Sequence, residues 1–237
     1  MTHPPYLINA IKSIANNGRT VWTRGAFSLF FAVLTLSGCA LPDKPTRATL
    51  YDFGPGPLGT APATGQAPLV PLAPLAIDEI TTAGGALDHQ AVVYRLDYVD
   101  AQQLRPYAQA RWSMPPAQLV RQRLLSRLGE RRAVFNAGSS VALSRSQGKG
   151  LPLRLRIELE EFSQLFSAPD ASVGLIRLRA TLVDITPAGE KLIGQRSVVV
   201  QRPAGSADAP GGVRALTAAT DAAIDELEQW LQQAPMR

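Results

Sequence analysis

Cysteine is almost absent from this chain of 237 residues, and histidine nearly so. One Cys excludes an intramolecular disulfide framework and any multi-Cys zinc site. His3 and His89 are too few for a histidine-based metal cage. Aromatic residues make up only 6% of the chain, yet 46% is hydrophobic, ordinary for a globular protein, so wholesale disorder is excluded. Acidic residues are missing from positions 1–38, which hold Lys12, Arg19 and Arg24. The formal charge of +5 therefore belongs mostly to that segment: without it, 21 basic residues face 19 acidic ones. A nucleic-acid partner loses its electrostatic footing.

Catalytic motifs are equally scarce. Gly148-Lys149-Gly150 lacks the upstream Gly and the following Ser or Thr of a phosphate-binding loop. There is no His-Glu-x-x-His, Gly-x-Ser-x-Gly or Cys-x-x-Cys. Glu158, Glu160 and Glu161 resemble a catalytic carboxylate cluster, but the first two share the polar face of a strand. Pairing with Arg177 or Arg179 on a neighbouring strand is the expected outcome. The sequence thus points to no enzyme, no metal and no cofactor.

What is present begins after Arg24. Gly25 to Leu36 is an apolar run of about a dozen residues, short of the roughly 20 that a spanning helix needs. A basic region, this run and the small residues behind it form a secretory signal. Leu36-Ser37-Gly38-Cys39 resembles the lipobox of bacterial lipoproteins. That resemblance implies cleavage between Gly38 and Cys39, diacylation of the Cys39 thiol and acylation of the new amino group by chains such as palmitate. Two or more chains anchor a protein stably where one does not. The competing reading is an uncleaved membrane anchor, because Gly25 to Pro42 carries no charge. Ala40 after the Cys, in place of Asp, implies the outer membrane facing the periplasm. The expected division is a signal peptide at 1–38, a lipidated tether at 39–47 and a folded domain at 48–235.

Within the domain, strands are expected at 48–53, from Leu75 to Ile80 and at 91–98, with a turn at Gly84-Gly85. Gly54 to Pro68 is dense in Gly and Pro and reads as a loop. Pro115-Pro116 opens a helix that Gly129 closes, with Val120, Leu124 and Leu128 on one stripe widened by Leu125. Leu153, Leu155, Ile157 and Leu159 alternate with Arg154, Arg156, Glu158 and Glu160, a strand with one wet face. Two more strands, at 172–184 and 191–201, complete an antiparallel meander through short turns. A helix from Val213 to Gln233 closes the chain. The fold class implied is α+β, a mostly antiparallel sheet with helices packed on one face.

The chain is similar to the ABC-type transport auxiliary lipoprotein family, which includes the Pqi-type outer-membrane lipoproteins of MCE intermembrane lipid transport systems. Tyr51-Asp52-Phe53, Val93-Tyr94-Arg95-Leu96, Tyr107, Arg111-Trp112, Met114-Pro115-Pro116 and the Arg177-Leu178-Arg179-Ala180 strand carry the likeness. It implies a noncatalytic periplasmic component whose partners are an MCE-domain protein, an ABC permease and an ATPase, contributing to envelope integrity. A structural envelope lipoprotein that binds a protein or cell-wall partner, and a domain that itself holds a lipid, are the alternatives; self-association is open. Candidate partner contacts are Tyr107, Trp112, Arg121 and Arg127. For the first two the competing role is to staple a loop onto the sheet, and for the arginines it is a solvated helix face.

Overall fold

A computed structural model describes residues 47–56, 72–136 and 151–234. Gly38, Cys39 and most of the Gly54–Pro68 stretch lie outside them. In chain order the described elements are β1 (Thr49–Tyr51), β2 (Leu75–Ile77), β3 (Thr81–Thr82), β4 (Ala91–Leu96) and α1 (Asp97–Asp100). There follow β5 (Ala101–Trp112), α2 (Pro116–Gly129), β6 (Val134–Asn136), β7 (Leu153–Ala168), β8 (Ala171–Thr186), β9 (Gly189–Pro203) and α3 (Ala209–Gln233).

The period-two segment forms the spine of the sheet. Leu153, Leu155, Ile157 and Leu159 of β7 are buried, while the charged residues between them keep partial access to solvent. A register shift between Leu159 and Glu161 then inserts one residue. Without that bulge Glu161 would take the core face; with it, Phe162 does. One edge of β7 pairs antiparallel with β8, and β8 with β9, the meander that the short turns predict.

The other edge of β7 differs from expectation. It accepts three short strands in succession, all parallel: β2 at Leu153–Leu155, β3 at Glu158–Leu159 and β4 at Gln164–Phe166. Beyond β2 lies β6, also parallel; beyond β4 lies β5, antiparallel, and beyond β5 lies β1, parallel. The sheet is therefore mixed rather than mostly antiparallel. Parallel neighbours need a long crossover, and the stretch from β5 through α2 to β6 supplies it between β4 and β7. Such pairs join residues 59 to 78 positions apart and leave no turn to read.

A second difference is β5, where a loop was expected around Tyr107. Ala101, Gln102 and Gln103 are exposed, so the strand lacks an apolar run. Backbone pairing to β4, with Tyr94 opposite Arg105 and Val93 opposite Pro106, makes it a strand. Pro106 sits where β4 flanks it on one side and β1, paired only at 110–112, does not reach.

The helices cover the core. α2 buries Leu119, Val120, Leu124 and Leu128. α3 starts four residues before Val213, because the Asp208 Oδ1 accepts from the Gly211 N–H at 2.8 Å and caps it. Its stripe of Leu216, Thr220, Ala223, Ile224, Leu227 and Leu231 is buried, and the Thr220 hydroxyl donates to the Leu216 carbonyl at 2.8 Å. A Cβ added at Gly174 of β8 would lie 2.5 Å from the Ala215 carbonyl carbon and the Leu216 nitrogen. Helix backbone thus rests on sheet backbone there. The two helices and the sheet share one apolar cluster.

Candidate functional site

The candidate contact residues divide between two places. Tyr107 and Trp112 both lie on β5 but face different surroundings. Trp112 is 1% exposed, with its ring centroid 5.6 Å from both Phe53 and Phe162. The Phe53 ring meets it edge-on at 85°. This triad fastens the segment after β1 to the spine strand. Its burial leaves Trp112 no surface for a partner and gives it the packing role.

Tyr107 is half-buried against Tyr94, the ring centroids 4.6 Å apart, and Tyr94 meets Phe166 edge-on. Its hydroxyl donates to the Gln164 Oε1 at 2.8 Å, and the Gln164 Nε2 donates to the Ser172 Oγ at 2.8 Å. Gln164 is fully buried, so the amide depends on these partners. Burial, and then the neighbouring Tyr94 and Asp208, push the Tyr107 pKa up. The hydroxyl is held neutral, as a donor. Gly212 at the start of α3 passes so close that a Cβ would lie 2.0 Å from the Gln164 Oε1.

Arg121 and Arg127 stand on α2. Arg121 donates to the Asn136 Oδ1 at 2.6 Å and lies 3.6 Å from Glu79. Arg127 donates to Asp225 at 2.7 Å and lies 3.8 Å from Glu130. It belongs to a ladder between the two long helices: Arg123 reaches Asp221 through two bonds of 2.6 and 2.8 Å, and Arg131 lies 3.7 Å from Glu228. The hydrogen bonds to Asp221 and Asp225 raise the pKa values of Arg123 and Arg127. The positive face of α2 is matched by the acids of α3. Spacings of four between the arginines, and of four and three between the acids, were readable in the sequence. Their pairing was not.

A polar groove of about 360 Å³ opens on the sheet face turned away from α3. Arg156 bridges Asp78 at 3.1 Å and Glu190 at 2.8 and 2.5 Å. Arg179 lies 3.7 Å from Glu158 and donates to Glu160, the cross-strand pairing that the alternation predicts. The bond from Arg156 holds the Glu190 carboxyl below the usual carboxylate range. The acids of this face are each answered by an arginine. Among the described residues no group of His, Cys, Asp and Glu is placed to hold a metal ion.

The sequence profile of a family described as ABC-type transport auxiliary lipoprotein component matches residues 57–228. No curated protein sequence matches the chain. Among solved structures, protein XCC0632 from Xanthomonas campestris is similar in fold, with a TM-score of 0.55, 18% identity, and coverage of 69% of this chain and 90% of that one. A second, described only as an uncharacterized protein, has a TM-score of 0.52 at 14% identity, covering 78% of this chain and 99% of its own.

Proposed function

The chain belongs to the ABC-type transport auxiliary lipoprotein component family, and on that footing we propose that it is a noncatalytic docking piece of an ABC/MCE-type intermembrane lipid transport system. Cys39 carries the acyl anchor, with the signal peptide removed after Gly38. The anchor holds the protein at the outer membrane, on its periplasmic face. The partners are an MCE-domain protein, a permease and an ATPase. The family match over residues 57–228 carries this reading.

Physical observations support it. No helix among the described residues is long and apolar enough to cross a membrane. The carboxylates of the sheet face are engaged with arginines rather than desolvated beside a nucleophile. Anchoring confines the domain to a thin layer and raises its effective concentration for a partner that ends there. Of the contact residues, Tyr107, Arg121 and Arg127 keep some access to solvent and remain the proposed partner surface.

The test is to isolate the acylated protein from crosslinked envelopes and identify what accompanies it. Copurification of an MCE-domain protein is the expected result. Recovery of cell-wall or other envelope proteins without any MCE-type chain would favour the structural alternative. Cys39→Ser should yield an unprocessed chain that retains residues 1–38 and complements a deletion poorly.

A further inference from the structure

The margins of the sheet are not equally protected. β1 and β6 end it with three residues each, and β5, which β1 covers only at 110–112, carries Pro106 with no N–H to offer. β9 has no such device along most of its length. It pairs with β8 alone among the described strands. From Gly194 to Arg202 it holds one register against Leu182 to Gly174, without a bulge or a proline. That is about 27 Å of strand whose outward N–H and C=O groups meet no described strand. α3 lies over one face, where Val198 and Val200 are buried, but Gln195, Ser197, Val199 and Gln201 on the opposite face are exposed. Backbone groups unpaired in series select their occupant by geometry, and that occupant is another strand.

Charge narrows the choice of strand. No Asp or Glu occurs between Glu190 and Asp208. Arg196 and Arg202 share the α3 face of this edge, six residues apart, by alternation with Val198 and Val200. Arg196 reaches Glu226 at 2.9 Å, their side chains 45% and 36% exposed. Arg202 donates to the Gln201 carbonyl at 3.1 Å and pairs with no acid among the described residues. Behind the edge, Arg177 of β8 stands opposite Glu161, whose carboxylate Arg95 holds at 3.0 Å. Midway between the two edge arginines, Val199 is 51% exposed on the other face. The chain's own segments do not match this charge: positions 57–71 and 137–150 contain no Asp or Glu. Two copies of β9 joined along 194–202 would bring together Arg196 and Arg202 from each and no acid.

We infer that the outer edge of β9 is a docking edge for an extended acidic segment of a partner protein, added to the sheet as a further strand. Successive residues of that strand alternate between faces. Acids six positions apart therefore meet Arg196 and Arg202, and an apolar residue midway meets Val199 on the other face. The pattern reads the same from either end, so it suits parallel and antiparallel addition alike. Neither the lipid anchor nor the surface of Tyr107, Arg121 and Arg127 enters this inference.

The probe is a fluorescein-labelled peptide, Ser-Glu-Thr-Thr-Val-Thr-Thr-Glu-Ser, titrated onto the full chain in nonionic detergent. Anisotropy reads binding and amide exchange locates it. Binding should saturate, weaken with salt, and slow exchange in β9 between Gly194 and Arg202. Replacing both peptide Glu by Gln should weaken it several-fold, and Arg202→Gln in the protein about two- to five-fold. Methylated peptide amides separate a paired strand from a loose ionic contact. Alternate amides face β9 and the rest face solvent, so one methylated set should abolish binding and the other should not. Equal binding by the Gln peptide, sensitivity to both methylated sets or to neither, or protection away from β9 overturns the inference. So does an absence of binding at millimolar peptide, which leaves the arginines the sole task of keeping copies of β9 apart. Exchange in β9 that slows with protein concentration and no peptide assigns the edge to a second copy and overturns the partner strand.

Discussion

Tyr107 reaches its place through one hydroxyl and one amide. Its O–H is the donor that the Gln164 Oε1 accepts, in a part of the sheet where Gln164 has no access to water. Tyr107→Phe keeps the ring against Tyr94 but strands that oxygen, and should cost about 1–3 kcal/mol in denaturant unfolding. The same hydroxyl sets an alkaline limit. Its pKa is raised in the folded state, so between about 10 and the folded value the unfolded chain releases a proton that the native one keeps. Stability is full below about pH 10 and falls as pH rises above it. In Tyr107→Phe that part of the decline should vanish, which paired pH titrations of the melting midpoint will show. Gly174 makes the complementary point about close packing. With helix backbone 2.5 Å from where a Cβ would sit, no rotamer change relieves the clash. Gly174→Ala should cost about 1–3 kcal/mol, and Gly205→Ala, which opens onto free space, much less.

Between elements, the α2–α3 ladder and the β7 alternation carry different weights. The Arg123 side chain is 11% exposed and bonds Asp221 twice, whereas Arg127 and Asp225 are 29% and 50% exposed. Solvent screens the second pair more. A double-mutant cycle should give about 1 kcal/mol for Arg123–Asp221 and under about 0.5 for Arg127–Asp225, both shrinking with salt. On β7, Leu155 is fully buried while Arg179 across the wet face is not. Leu155→Ala should lower stability by about 2–5 kcal/mol and Arg179→Ala by less than about 1.

For the whole molecule, the spine strand organises everything else. β7 is paired along both edges, whereas β1 has three residues paired to β5 alone among the described strands. Amide exchange should therefore be slowest in the middle of β7 and β8 and fastest in β1. Fast exchange at Leu155 or Ile157 would contradict the central placement. An edge that opens easily sits next to the tether, where slack between anchor and domain does least harm to the core.

What the sequence determined by itself was everything written in local pattern. The meander at 153–203, the α2 stripe and the Arg179 pairing with Glu158 and Glu160 follow from period, turn chemistry and charge alternation among near neighbours. The family, too, was legible in short motifs, and the profile match bears it out. Tertiary structure alone decided the rest. β5 has no apolar run of its own, and it is a strand because β4 offers it a backbone ladder. The parallel strands β2, β3 and β4 line up on β7 because their partners lie far away in the chain, where no turn residue records the pairing. Trp112 became core rather than surface for the same reason: its burial depends on Phe53 and Phe162, which meet it only once the sheet has closed.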